Sequence, residues 1–122
     1  MIYDIEFDPE NSELVASWER TNKKIVIPKS NRDNALISES EGMILLVLYG
    51  MDGGRAPAKM LKKAILILNG GDIDEEEEAI TMLKGRGYID FDGRAVCITD
   101  DGKRFLHRIA IFEPEERKEV EE

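Results

Sequence analysis

Few side chains in this sequence can do covalent chemistry. His107 is its only histidine and Cys97 its only cysteine. One histidine cannot build the imidazole clusters of zinc or hydrolytic sites, and it reads as a helix-surface or partly buried side chain. Cys97 stands between Val96 and Ile98, where a small apolar residue would serve equally well. No neighbouring base is apparent to make it a nucleophile. A lone cysteine also excludes an internal disulfide and a cysteine-rich zinc cluster within one chain. Glu75 to Glu78 could attract a divalent cation, but consecutive helical residues point in different directions and make no coordination shell alone. Helix capping and solubility account for them more cheaply. The glycines of MDGG, NGG and GRG lack the lysine and hydroxyl partners of a phosphate loop and read as helix ends and turns. The expectation is no enzyme, no catalytic residue, no cofactor and no metal.

Charge offers a second, non-covalent chemistry. Acidic residues number 26 against 17 basic ones, for a formal net charge of -9. An acidic protein is repelled by nucleic acid at long range, so contact with DNA needs a local basic patch. Arg55, Lys59, Lys62 and Lys63 supply one, because no acid lies between Gly53 and Gly71. Arg94, Lys103, Arg104 and Arg108 are further cations. The plainer account of such lysines is a solvated helix face.

These groups must be held by elements that the sequence punctuates. Residues 1–35 read as an N-terminal extension of two or three short strands, or as a loosely attached arm. Tyr3, Ile5 and Phe7 share one strand face. DPEN marks a turn, Leu14 to Trp18 suits a short strand or a helical turn, and KKIVIP is β-branched. KSNRDNA, residues 29–35, reads as a linker or surface loop.

Ser38 and Glu41 have the spacing of a capping box. Ile44 to Tyr49 is apolar on nearly every side, so the first helix is expected to be buried on more than one face, at the centre of the domain. Pro57 suits the first turn of a second helix, in which Leu61, Ala64, Ile65 and Leu68 share a face and Asn69 to Gly71 form the stop. Met60, Leu66 and Ile67 are additional apolar positions. Asp72 or Asp74 can cap the third helix, whose buried stripe is Ala79, Ile80 and Leu83, with Met82 a further candidate. Arg86 and Gly87 close it. Tyr88 to Phe91 and Ala95 to Ile98 form a hairpin around Asp92–Gly93. Thr99 caps a last helix whose apolar face takes Leu106 and Ile109, or Phe105, Ile109 and Phe112. Residues 113–122 have the composition of an acidic flexible tail.

The segments LKGRGYI at 83–89 and ITDDGKRFL at 98–106, with a hairpin between them, resemble the winged helix-turn-helix family of short archaeal and bacterial transcriptional regulators. The resemblance implies an α+β fold: a winged helix domain over residues 36–112, preceded by an extended or β segment. It also implies a sequence-specific regulator that binds double-stranded DNA through the third helix, the basic second helix and the wing. The DNA-binding candidates are then Arg55, Lys59, Lys62, Lys63, Thr81, Lys84 and Arg94. Glu77 and Glu78 would share the third helix's exposed face, and an acidic side chain cannot sit beside phosphate without cost. The alternative is a winged helix that binds a protein partner and no DNA. Such regulators often form a homodimer through elements outside the core, and the dimerisation candidates here are Tyr3, Phe7, Trp18, Phe105, Ile109 and Phe112; the plainer account, above all for Ile109, is that they cover the chain's own core. No apolar run is long enough to span a bilayer and no signal peptide is apparent, so a cytoplasmic protein without membrane contact is expected.

Overall fold

In a computed structural model the backbone is described for residues 2–8, 13–18, 24–68 and 73–113. Side chains are described for residues 13–17, 24–51, 53–63 and 77–113. The chain is a mixed α+β domain with two small antiparallel sheets. Strands β1 (Ile2–Asp8), β2 (Glu13–Trp18), β3 (Lys24–Ile27) and, from the other end of the described chain, β7 (Ile111–Glu113) form a four-stranded sheet in the order β1-β2-β3-β7. Helices α1 (Lys29–Ala35) and α2 (Glu39–Gly50) follow β3. A short 3-10 turn at Asp52–Gly54 leads into β4 (Arg55–Pro57), α3 (Ala58–Leu68) and α4 (Ile73–Gly85). The hairpin β5 (Ile89–Asp92) and β6 (Ala95–Ile98) precedes α5 (Asp100–Ile109). The second sheet has the order β4-β6-β5.

Helix α2 is the centre of the core. The capping box forms: the Ser38 hydroxyl accepts from the Glu41 N–H at 3.1 Å, and the Glu41 carboxyl accepts from the Ser38 N–H at 2.9 Å. Met43, Ile44, Leu45, Leu46 and Leu48 are all buried. Burying each such side chain stabilises the fold by about 1.5–3 kcal/mol relative to exposure. Leu14 and Ala16 on β2 and their partners Ile27 and Ile25 on β3 are buried in the same core. Gly42 faces this sheet, and a Cβ there would lie 2.7 Å from Leu14 Cδ1. The N-terminal strands are therefore a layer against α2, not a loosely attached arm.

Three local expectations are corrected. Residues 29–35 form a helix where a loop was expected. KSNRDNA has no apolar stripe to announce one; polar contacts hold it instead. Lys29 pairs with Asp33 at 2.6 Å, and buried Arg32 donates from Nη1 to the Ile27 carbonyl at 3.2 Å. Pro57 ends a strand rather than entering a helix, since Arg55–Pro57 pairs with Ala95–Cys97. Phe112 is not on the last helix. That helix ends at Ile109, Ala110 is extended, and Phe112 pairs with Ile25 in β7.

Ala79, Ile80 and Leu83 are buried, whereas Met82 is 46% exposed. Leu61 is buried and Met60 exposed. Helix α4 begins at Ile73, which places Asp74 within it and not at its cap. The side chains of Tyr3, Phe7, Trp18, Ala64 to Leu68, and Glu75 and Glu76 lie outside the described residues, as do Asp72, the Asn69–Gly71 stop and residues 114–122. Among the described residues, no helix is long and apolar enough to cross a membrane.

Candidate nucleic-acid interface

The geometry starts from the end of α4. The Gly87 N–H donates to Lys84 O at 3.0 Å and the Tyr88 N–H to Leu83 O at 3.1 Å, with Gly87 at φ +80°. This is the Schellman arrangement, in which a glycine takes the left-handed turn that lets the last carbonyls find donors. The chain then enters β5. Asp92 faces Ala95 across the hairpin, so the central residues of its turn are Gly93 and Arg94. Gly93 has φ +64° and Arg94 does not have a positive φ, the pattern of a type II′ hairpin turn. The turn thus sits one residue later than the Asp92–Gly93 dipeptide suggested.

Strand β4 lies on the other edge of β6, and the ladder continues past it. The Ala58 N–H donates to the Arg94 carbonyl at 2.8 Å. That bond ties the hairpin turn to the first residue of α3. Lys59, Lys62 and Lys63 follow at helical spacing, all exposed and none paired with a carboxylate among the described residues. Arg94 is likewise exposed and has no carboxylate partner among the described residues. Arg55, also exposed, is engaged: its Nη2 lies 2.8 Å from Asp92 Oδ2 on the outer face of the sheet. A surface pair of this kind contributes little to stability, about 0–1 kcal/mol, but it occupies the guanidinium.

Thr81 and Lys84 sit at the opposite edge of the hairpin, beside β5. The Thr81 hydroxyl donates back to the Glu77 carbonyl at 3.0 Å. The Lys84 ammonium lies 4.7 Å from the centre of the Phe91 ring. Glu77 and Glu78 are exposed on the same helix, and Asp90 and Asp92 on the strand beside it. The seven candidates therefore divide into two groups. Arg94, Lys59, Lys62, Lys63 and the paired Arg55 gather on the β4 side, while Thr81 and Lys84 are engaged locally among acids on the β5 side.

Phe91 was not anticipated as a surface residue. It pairs with buried Val96 yet is 46% exposed, because it lies beyond the edge of the core, where Ile80, Thr81, Lys84 and Gly85 frame it. A glycine-flanked turn two residues on was the available signal. Two expected dimerisation residues, Phe105 and Ile109, are buried in the chain's own core, at 5% exposure each. They present no surface to a second copy. Phe112 is half-buried, stacked on His107 at 4.4 Å and edge-on to Tyr49 at 5.9 Å.

His107 is exposed, with Nε2 3.3 Å from the Tyr49 hydroxyl. The Cys97 thiol is 3.4 Å from the Asp90 carbonyl. Among the described residues no group of three or more histidine, cysteine, aspartate or glutamate side chains could hold a metal ion. No protein-family model matches the chain, and comparison with curated proteins and with solved structures returns no match.

Proposed function

We propose that residues 36–112 are a winged helix-turn-helix domain that contacts duplex DNA as a transcriptional regulator. The order helix, short strand, helix, helix, hairpin, with the short strand paired to the hairpin's second strand, supports the fold reading. In this reading β5 and β6 are the wing. Phosphate contacts fall to α3 and the wing tip, and the acidic exposed face of α4 contributes less. The single observation that carries this is the Ala58–Arg94 bond, which sets an arginine with no carboxylate partner among the described residues at the head of an acid-free helix bearing three exposed lysines.

The test is fluorescence anisotropy of the full chain with a random-sequence duplex pool at low salt. Binding is expected, weakening steeply as salt rises, with a log–log slope of about -0.9 per phosphate neutralised. Lys59→Glu, Lys62→Glu and Lys63→Glu together should abolish it. Failure to bind any duplex of a broad pool at low salt overturns the reading.

A second reading, a protein-interaction module, is favoured by the other side of the hairpin. There Glu77 and Glu78 are exposed, the Thr81 hydroxyl is spent on its own helix, and Phe91 offers apolar surface. This reading predicts capture of a specific protein by the full chain that is lost on Phe91→Ala and unaffected by the lysine reversals. In either reading a homodimer would form through surfaces other than Phe105 and Ile109, and sedimentation of the full chain measures its presence.

A further inference from the structure

Between α1, the end of α4 and α5 lies an open cleft of about 440 Å³. That is within the range of about 300–1,000 Å³ usual for small-molecule sites. Asn31, Asn34, Arg86, Tyr88, Phe105 and Arg108 line it, and none of the described residues that line it is acidic. In a chain with 26 acids and a net charge of -9, a cleft whose described lining holds two guanidinium groups and no acid runs against the composition.

The groups differ in how far they are committed. Arg86 donates from Nη2 to Leu36 O at 2.8 Å and from Nη1 to Ala35 O at 3.4 Å, and its Nε lies 4.0 Å from the buried Glu41 carboxyl. Its charge is offset, while each Nη keeps a second N–H. Asn31 is anchored by its Nδ2 bond to Ile109 O at 2.7 Å, which leaves its second N–H and its Oδ1. Asn34 is exposed and has no hydrogen-bond partner among the described residues. Arg108 is the uncompensated cation. It has no carboxylate partner among the described residues, and its guanidinium carbon lies 5.5 Å from the centre of the Phe105 ring. Phe105 in turn stacks on Tyr88, with centroids 4.3 Å apart. Donors thus outnumber acceptors around one free positive charge, beside an aromatic pair.

We propose that this cleft binds a small organic anion. Its carboxylate or phosphate group is taken by Arg108, whose planar fork matches either oxyanion. Asn34 and the outer N–H groups of Arg86 complete the hydrogen bonds, and the ligand's planar body covers the Tyr88 ring. The assignment stands whether or not the protein binds DNA, because it shares no residue with the α3 and wing surface.

The experiment is a two-dimensional amide NMR titration of the full chain with three probes: benzoate, phenyl phosphate and neutral benzamide. Benzoate or phenyl phosphate, or both, should give saturable shifts centred on Asn34, Tyr88 and Arg108, and the ratio of the two affinities tells carboxylate from phosphate recognition. Benzamide should bind at least about tenfold more weakly, because a charge-assisted hydrogen bond is about twice as strong as a neutral one. Arg108→Gln should weaken anion binding by at least about tenfold. Its spectrum outside the cleft should be unchanged, since Arg108 is exposed. Arg104→Gln, one turn earlier and paired with Asp101 outside the cleft, should leave binding as it is. Equal binding of benzamide, an unaffected Arg108→Gln, or no saturable shift with either anion overturns the proposal.

Discussion

The Thr99 hydroxyl donates to the Gly87 carbonyl at 2.6 Å, while its oxygen accepts the Gly102 N–H at 3.0 Å. One hydroxyl thus caps α5 and joins it to the turn that ends α4. The Thr99 N–H adds a bond to Tyr88 O at 3.0 Å. Thr99→Ala removes both side-chain bonds and should cost about 1–2.5 kcal/mol. Thr99→Ser keeps both and should cost less than about half as much. Urea unfolding of the three proteins measures the difference.

Gly102 is required by the same junction. A Cβ there would fall inside the van der Waals contact distance of the Tyr88 carbonyl oxygen and 2.8 Å from Ile98 Cγ1. Gly102→Ala should therefore destabilise by about 1–3 kcal/mol, as overpacking does, despite alanine's better helix propensity. Gly85, in the last turn of α4, has nothing within 4 Å of its would-be Cβ and no left-handed φ. Gly85→Ala should be neutral or stabilising by up to about 1 kcal/mol. Thermal unfolding should show a lowered midpoint for Gly102→Ala and an unchanged or raised one for Gly85→Ala.

Leu36 carries the opposite mismatch. It caps α1 at φ +58°, the one non-glycine residue with positive φ among those described, and its side chain is 78% exposed. A left-handed conformation costs an L-residue roughly 1–2 kcal/mol, and little apolar burial offsets it here. Leu36→Gly should raise stability by about 0.5–1 kcal/mol, the strain relief exceeding the entropy that glycine adds to the unfolded chain. A lower unfolding midpoint would count against it.

Arg86 and Glu41 make a test of buried charge. Glu41 is 5% exposed, its Oε2 has no hydrogen-bond partner among the described residues, and the Arg86 guanidinium lies 4.0 Å away. Arg86→Met should cost about 3–5 kcal/mol, because it takes away the guanidinium paired with the buried carboxyl and frees two carbonyls at the end of α1. Adding Glu41→Gln should recover part of that loss. A double-mutant cycle with no coupling would show that the two groups do not interact.

The capping box at Ser38 and Glu41, a first helix buried on more than one face, strand β6 and the Thr99 cap were legible in the sequence. Each rests on residues a few positions apart, where backbone geometry alone brings partners together. Helix α1 was not legible, because its polar sequence has no apolar period. Strand β4 was not legible either: three residues become a strand only because β6, some forty positions later, offers a ladder.

The candidate site divides in the same way. The sequence by itself determined that Lys59, Lys62 and Lys63 share an exposed helix face and that no acid stands among them. Only the tertiary structure decided that Arg55 is paired with Asp92, that Arg94 joins the head of α3, and that Phe105 and Ile109 are core. It alone assembled the cleft between α1, α4 and α5, where Asn31 and Ile109 are 78 residues apart and Arg86 and Leu36 are 50 apart. Local spacing and charge encode helix faces and caps. Which charge is neutralised, and which apolar face is covered, depends on elements distant in the chain that packing brings together.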